Sequence, residues 1–190
     1  MGKTATASMF RVKNIPVYDA DAEVHGLYTV GGAAVVPLSE RFTDITVDGA
    51  IDRTALRRAV INDQEAMSEL EAIVHPLVGQ TQLNFRQKAV DSGAPFAVLD
   101  IPLLFETGGD KRCDLVAVVS APAEVQRQRV LDRPNMDAEV FEAILAKQMP
   151  DAEKRARADF IISTAFGFDF TEAHVDAIID LMNMIEAKNV

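Results

Sequence analysis

Four short apolar runs rich in β-branched residues, Ile15-Pro16-Val17-Tyr18, Phe96-Ala97-Val98-Leu99-Asp100-Ile101, Leu115-Val116-Ala117-Val118-Val119 and Phe160-Ile161-Ile162, are separated by far longer segments patterned for helix. Successive apolar positions fit strands buried on both faces. Strands joined by helices do not return as hairpins, so a three-layer α/β/α fold with a parallel sheet is expected. Helical spacing covers 22–28, 53–60, 65–92, 123–131, 137–149 and 151–158, with Pro76 expected to break the third of these at His75 and open a new helix. The last helix, 171–187, is expected to turn Val175, Ile178, Ile179, Leu181, Met182 and Ile185 inward.

No repeat, low-complexity tract or linker interrupts the 190 residues, so they read as one domain, 1–190. Nineteen Lys and Arg against 29 Asp and Glu leave a net charge of −10, with the bases scattered among acids, which argues against nucleic acid as a partner. The single cysteine, Cys113, cannot form an internal disulfide, and no segment approaches the roughly 18 apolar residues of a membrane span or the core of a signal peptide. A cytoplasmic protein without membrane contact is expected, as a monomer or a small homo-oligomer.

In open α/β sheets ligands gather beyond the carboxyl ends of the strands. The residues there are Asp19-Ala20-Asp21, Pro102-Leu103-Leu104-Phe105-Glu106, Ser120-Ala121-Pro122 and Ser163-Thr164. Asp19 and Asp21 suit either magnesium binding and proton abstraction, or a helix N-cap followed by a first-turn acid. His25 follows Asp21 by one helical turn. Gly2-Lys3-Thr4, running into a helical segment, matches the end of G-x-x-x-x-G-K-[ST], in which backbone amides and Lys hold phosphates and the hydroxyl binds Mg²⁺. Arg127, Arg129 and Arg133, with Lys147, Lys154, Arg155 and Arg157 beyond them, read either as solvated helix faces or as a cationic helical flap over a nucleotide. His174 is expected at the surface, and Cys113 half-buried at the start of a strand.

In this order and spacing the residues resemble bacterial dephospho-coenzyme A kinase, from Gly2 to about Gly167. The resemblance rests on GKT and its helix, Asp19-Ala20-Asp21, His75-Pro76-Leu77, Pro102-Leu103-Leu104-Phe105-Glu106, Gln126-x-x-Arg129-x-x-x-Arg133, Gln148, Glu153-Lys154 and Ala158-Asp159-Phe160-Ile161-Ile162. It implies a P-loop kinase fold with a helical substrate-side region at about 50–92 and a lid at about 129–157. It also implies transfer of the ATP γ-phosphate to the ribose 3′-hydroxyl of dephospho-CoA with Mg²⁺. Gly2, Lys3, Thr4, Arg129 and Arg133 would then bind ATP, and Lys3, Asp21 and Arg129 would be catalytic, Asp21 as general base. Thr4 and Asp19 would serve the metal, and Asp19, His25, His75, Pro102, Leu103 and Leu104 would line the dephospho-CoA side.

This sequence departs from the family in three places. His25 stands where many members carry arginine, and Ser163-Thr164-Ala165 stands where Asn-x-Gly is common. The first glycine of the P-loop, three further residues and the preceding central strand have no counterpart, so the chain is expected to be poorly active without an upstream extension. Two other readings remain open at this stage. One is an inactive kinase-like domain that binds a CoA-like ligand. The other is a haloacid dehalogenase-type phosphatase using Asp19 and Asp21, with Asp110 and Asp114 at its magnesium.

Overall fold

The computed structural model describes residues 1–134 and 136–186. In chain order the elements are α1 (Lys3–Val12), β1 (Val17–Asp19), α2 (Ala20–Tyr28), α3 (Val35–Arg41), β2 (Thr46–Val47), β3 (Ala50–Ile51), α4 (Arg53–Val60) and α5 (Gln64–Asp91). There follow β4 (Val98–Asp100), a 3₁₀ turn (Gly109–Arg112), β5 (Ala117–Ser120), α6 (Ala123–Leu131), α7 (Ala138–Leu145), α8 (Asp151–Ala156), β6 (Phe160–Ser163) and α9 (Phe168–Glu186). All four expected strands form, and the class is α/β. The chain divides into two compact units, Tyr18–Leu99 and Met1–Val17 with Asp100–Val190.

In the unit of 18–99, β1 pairs with β4, and β2 with β3 in an antiparallel hairpin. The hairpin is an addition to the sequence reading. Its turn is Asp48-Gly49, with φ of 49° and 80°, the two left-handed positions that a two-residue hairpin requires. Three helices here begin at an aspartate: Asp19 accepts from the Ala22 amide at 3.0 Å, Asp52 from Thr54 and Ala55, and Asp63 from Glu65 and Ala66. Leu27, Leu38, Phe42, Ile45, Ile51, Leu56 and Val74 build the core. Gly32 is obligatory, because a Cβ there would lie 2.2 Å from the Leu27 carbonyl.

The break expected at His75 does not occur. α5 runs unbroken for 28 residues with Pro76 inside it. Proline forfeits one helical hydrogen bond, but Val74 is buried and Ile73, Leu77 and Val78 pack on the same core, so tertiary burial on both sides of the ring offsets the loss.

In the other unit, β5 and β6 pair in parallel, Ala117 opposite Phe160 through Ser120 opposite Ser163, with α6, α7 and α8 forming the crossover. Phe105, Val116 and Val118 form a core cluster with Leu104, Cys113, Met149 and Ala158 against it. Cys113 is half-buried as expected, although β5 starts only at Ala117. In α9, Val175 is fully buried and Ile178, Ile179 and Met182 are half-buried, whereas Leu181 and Ile185 are exposed, so the inward stripe is narrower than its apolar pattern. Ala187 lies outside the described residues. His174 is not a surface residue: its half-buried ring meets Phe170 edge-on at 4.7 Å, one helical turn away.

Candidate active site

α1 starts at Gly2, whose φ of 93° is open to glycine and costly for other residues. The Gly2 carbonyl accepts from the Thr6 amide at 2.9 Å and the Thr6 hydroxyl at 3.1 Å, which sets the first turn. The amides at the start of a ten-residue helix have no carbonyl partners within it, and their dipoles favour an anion. Lys3 and Thr4 are the first two residues of this helix. Thr4 is exposed in this first turn.

Lys3 Nζ is ion-paired with Asp100. Asp100 ends β4 with its side chain only 3% exposed, and Lys3 is the cation paired with it. The sequence reading had absorbed Asp100 into an apolar strand. Its sequence signal is one acid closing a run of four apolar residues at a strand's carboxyl end; that it meets Lys3 is seen only in the fold.

Arg129, on α6, donates from Nη1 to the Thr164 hydroxyl at 3.0 Å and from Nη2 to the Thr164 carbonyl at 2.8 Å. Thr164 in turn donates to the Met1 carbonyl at 2.8 Å. A cavity of about 300 Å³ opens here, lined by Met1, Gly2, Ala5, Thr6, Met9, Arg129, Arg133, Thr164, Gly167, Phe168 and Thr171. The Met1 amino group is held below its ordinary value, first by burial and then by the positive charges of Arg133 and Arg129. Within a chain of net charge −10, this is a locally cationic pocket beside a helix N-terminus.

The flap cations divide into two sets. Lys154 is paired with Glu106 at 2.8 Å, Arg157 with Asp110 at 2.6 Å, and Arg127 with Glu142, ties that hold α7 and α8. Glu106 also accepts from the Met149 amide at 2.9 Å. Burial raises its carboxyl, but the hydrogen bonds from Lys154 and from the Glu106 and Met149 amides outweigh burial and hold it below the ordinary value. The Ser120 hydroxyl binds Asp151 at 2.8 Å, a further tie between α8 and β5.

Pro102 and Leu103 follow β4, and Leu103 is a non-glycine residue at φ 51° with 45% of its surface exposed. Holding a leucine there costs about 1–2 kcal/mol. The loop sustains it through the Leu103 carbonyl, which accepts from the Thr107 amide and hydroxyl at 3.0 Å each. In the other unit, Asp19 is the N-cap of α2, with Asp21 in the first turn and His25 one turn on, both exposed. His75 is exposed midway along α5.

The dephospho-CoA kinase family model matches residues 1–167. A dephospho-CoA kinase of Rhodopseudomonas palustris strain HaA2 is 52% identical over 180 residues, covering 95% of this chain and 89% of the relative. One from Mesorhizobium japonicum is also 52% identical, covering 95% and 90%. The solved structure of TT1252 from Thermus thermophilus superposes with a TM-score of 0.80 at 32% identity over 94% of this chain and 91% of that one. A Campylobacter jejuni dephospho-CoA kinase shares the fold at a TM-score of 0.70. The order of motifs, the anion-binding start of α1 and a match running nearly the whole length agree, and the chain belongs to the dephospho-CoA kinase family.

Proposed function

We propose that the chain transfers the γ-phosphoryl group of ATP to the 3′-hydroxyl of the dephospho-CoA ribose, in the cytoplasm, giving CoA and ADP. The observation that carries this is the construction around α1, with free helix amides and Lys3 in its first turn and, beside Gly2, a cavity lined by the Thr164-bound Arg129 and Arg133. Phosphoryl transfer asks a protein for position and charge, and this arrangement supplies both. Lys3 and the amides of Gly2–Thr4 hold the β- and γ-phosphates. Arg129, with three N–H donors beyond the two given to Thr164, neutralises charge on the transferring group, and Arg133 adds to it. Asp21 accepts the 3′-hydroxyl proton as the oxygen–phosphorus bond forms and the bond to ADP breaks.

Dephospho-CoA contacts fall to Asp19, His25, His75, Pro102, Leu103 and Leu104. Residues at about 50–92 serve the substrate side and those at about 129–157 the lid, with α8 tied down by Glu106 and Asp110.

The donors present fit magnesium. Thr4 Oγ1, exposed in the first turn of α1, is a hard oxygen donor of the kind magnesium takes beside water and phosphate oxygens, and Asp19 is the carboxylate the family resemblance assigns to the metal. When bound, Mg²⁺ supplies charge neutralisation at the phosphates.

An assay of ADP release with ATP, Mg²⁺ and dephospho-CoA tests the reading. Equal yields of ADP and CoA are expected. Phosphate release from simple phosphoesters without ATP would point to the phosphatase reading, and ligand binding without turnover to the inactive domain.

A further inference from the structure

We propose that Thr164 is the positioning residue that aims Arg129 at the phosphate loop. Thr164 lies one residue past β6 and is buried, with 7% of its surface exposed. Its amide donates to the Ser120 carbonyl at 3.0 Å, extending the β5–β6 ladder by one rung. Its hydroxyl donates to the Met1 carbonyl at 2.8 Å and accepts from Arg129 Nη1 at 3.0 Å, while its carbonyl accepts from Nη2 at 2.8 Å. Its methyl group packs on the loop, 3.2 Å from where a Cβ on Gly2 would stand. One side chain thus joins the end of the β5–β6 sheet, the residues leading into α1, and the guanidinium carried by α6.

The carbonyl contact survives any substitution at 164, but a single hydrogen bond leaves a planar guanidinium able to pivot about it. The hydroxyl supplies the second point and fixes the plane of the fork. Because the same hydroxyl donates to the loop, Arg129 and the loop are held in register by one atom. A displacement of ~1 Å in a group that orients a reacting phosphate costs about 100-fold in rate.

The inference rests on the role given to Arg129 above, and its test separates the two. Thr164→Val keeps the shape and the methyl but removes the hydroxyl, whereas Thr164→Ser keeps the hydroxyl. For the Val variant kcat is expected to fall about 10- to 100-fold with KM for ATP changed less than threefold, while the Ser variant stays within about threefold of the parent in both. In an Arg129→Lys background, which lacks the fork, Thr164→Val is expected to cost less than twofold more. Thr164→Ala, which removes the hydroxyl without adding atoms, has to reproduce the kcat loss if the Val variant does not fold. A Thr164→Val loss of the same size in both backgrounds overturns the proposal, as does a Ser variant as poor as Val. Impaired Arg129→Lys beside a fully active Thr164→Val overturns it alone, and fully active Arg129→Lys removes the role of Arg129 together with it.

Discussion

The pair between Lys3 and Asp100 is asymmetric, and its asymmetry can be measured. Lys3 has 39% of its side chain exposed and Asp100 only 3%. With Asp100→Asn, the stranded ammonium can turn to water, so the loss is that of a surface-like pair plus an imperfectly satisfied amide, about 1 kcal/mol. With Lys3→Met, the carboxylate stays buried without its cation, a situation that costs about 3–5 kcal/mol. The difference, about 2 kcal/mol or more, is well outside the error of urea unfolding followed by far-ultraviolet circular dichroism at pH 7. The double variant Lys3→Met, Asp100→Asn removes the buried charge and is expected to regain most of what Lys3→Met alone loses. If Asp100→Asn is as destabilising as Lys3→Met, or if the double variant is the sum of the singles, the reasoning from burial fails. Lys3→Met is also expected to lose activity, because the lysine serves the phosphates as well as the fold.

Glu106 bears on stability in acid. Its folded carboxyl lies below the ordinary 4.5, so its contribution is full above the unfolded value and disappears as the pH falls through the folded one. Glu106→Gln is therefore expected to lower Tm at pH 7 and to flatten the fall of stability below about pH 4.5, as calorimetry against pH would show. At the left-handed Leu103, Leu103→Gly is expected to be about 1 kcal/mol more stable than Leu103→Ala, while both raise KM for dephospho-CoA; equal Tm values would contradict the φ argument. Asp21→Asn is expected to lower kcat by about 100- to 10,000-fold with near-parental ATP binding, and a kcat within tenfold of the parent would remove it as general base.

The elements legible in the sequence were those fixed by local chemistry. β-Branched apolar runs marked the four strands of β1, β4, β5 and β6, and helical spacing placed α4 and α6 at their observed ends. Other features depended on partners remote in sequence. Pro76 carries a local instruction to stop, yet burial of Val74 and its neighbours overrides it. The β2–β3 hairpin turns on Asp48-Gly49, and its two-residue strands are too short to carry the alternation that marks a longer hairpin. Of the site, Gly2, Lys3, Thr4 and Arg129 were recognisable by motif. Ser163-Thr164 stands out as a strand end and Asp100 as an acid closing an apolar run, but their partners Arg129 and Lys3 lie at least 35 positions away, a relation that only the folded chain creates.

The same distinction decides which cations are available to phosphates. A chain with ten more acids than bases has no general attraction for ATP, so the charge must be placed locally. On the sequence, Arg127, Arg129, Arg133, Lys154 and Arg157 are equivalent members of one basic stretch. In the fold, Lys154, Arg157 and Arg127 face carboxylates, and Lys13 faces Glu172 and Asp176 on α9. Each such pair neutralises a cation that a phosphate would otherwise attract, and Lys3 too reaches a phosphate only by sharing or leaving Asp100. Arg129 differs in that its partners are a hydroxyl and a carbonyl, which orient the guanidinium without cancelling its charge. Neutral acceptors on a cation, set beside a helix N-terminus and Arg133, leave a fixed positive field for an incoming anion. Replacing Thr164 by an acid would place a carboxylate there instead. The carboxylate would still accept from Arg129 but has no proton to give the Met1 carbonyl, so Thr164→Asp is expected to lose Tm with that bond and to lose more ATP affinity than Thr164→Val, which lacks the same donor without the charge, as calorimetry and ATP titration would show.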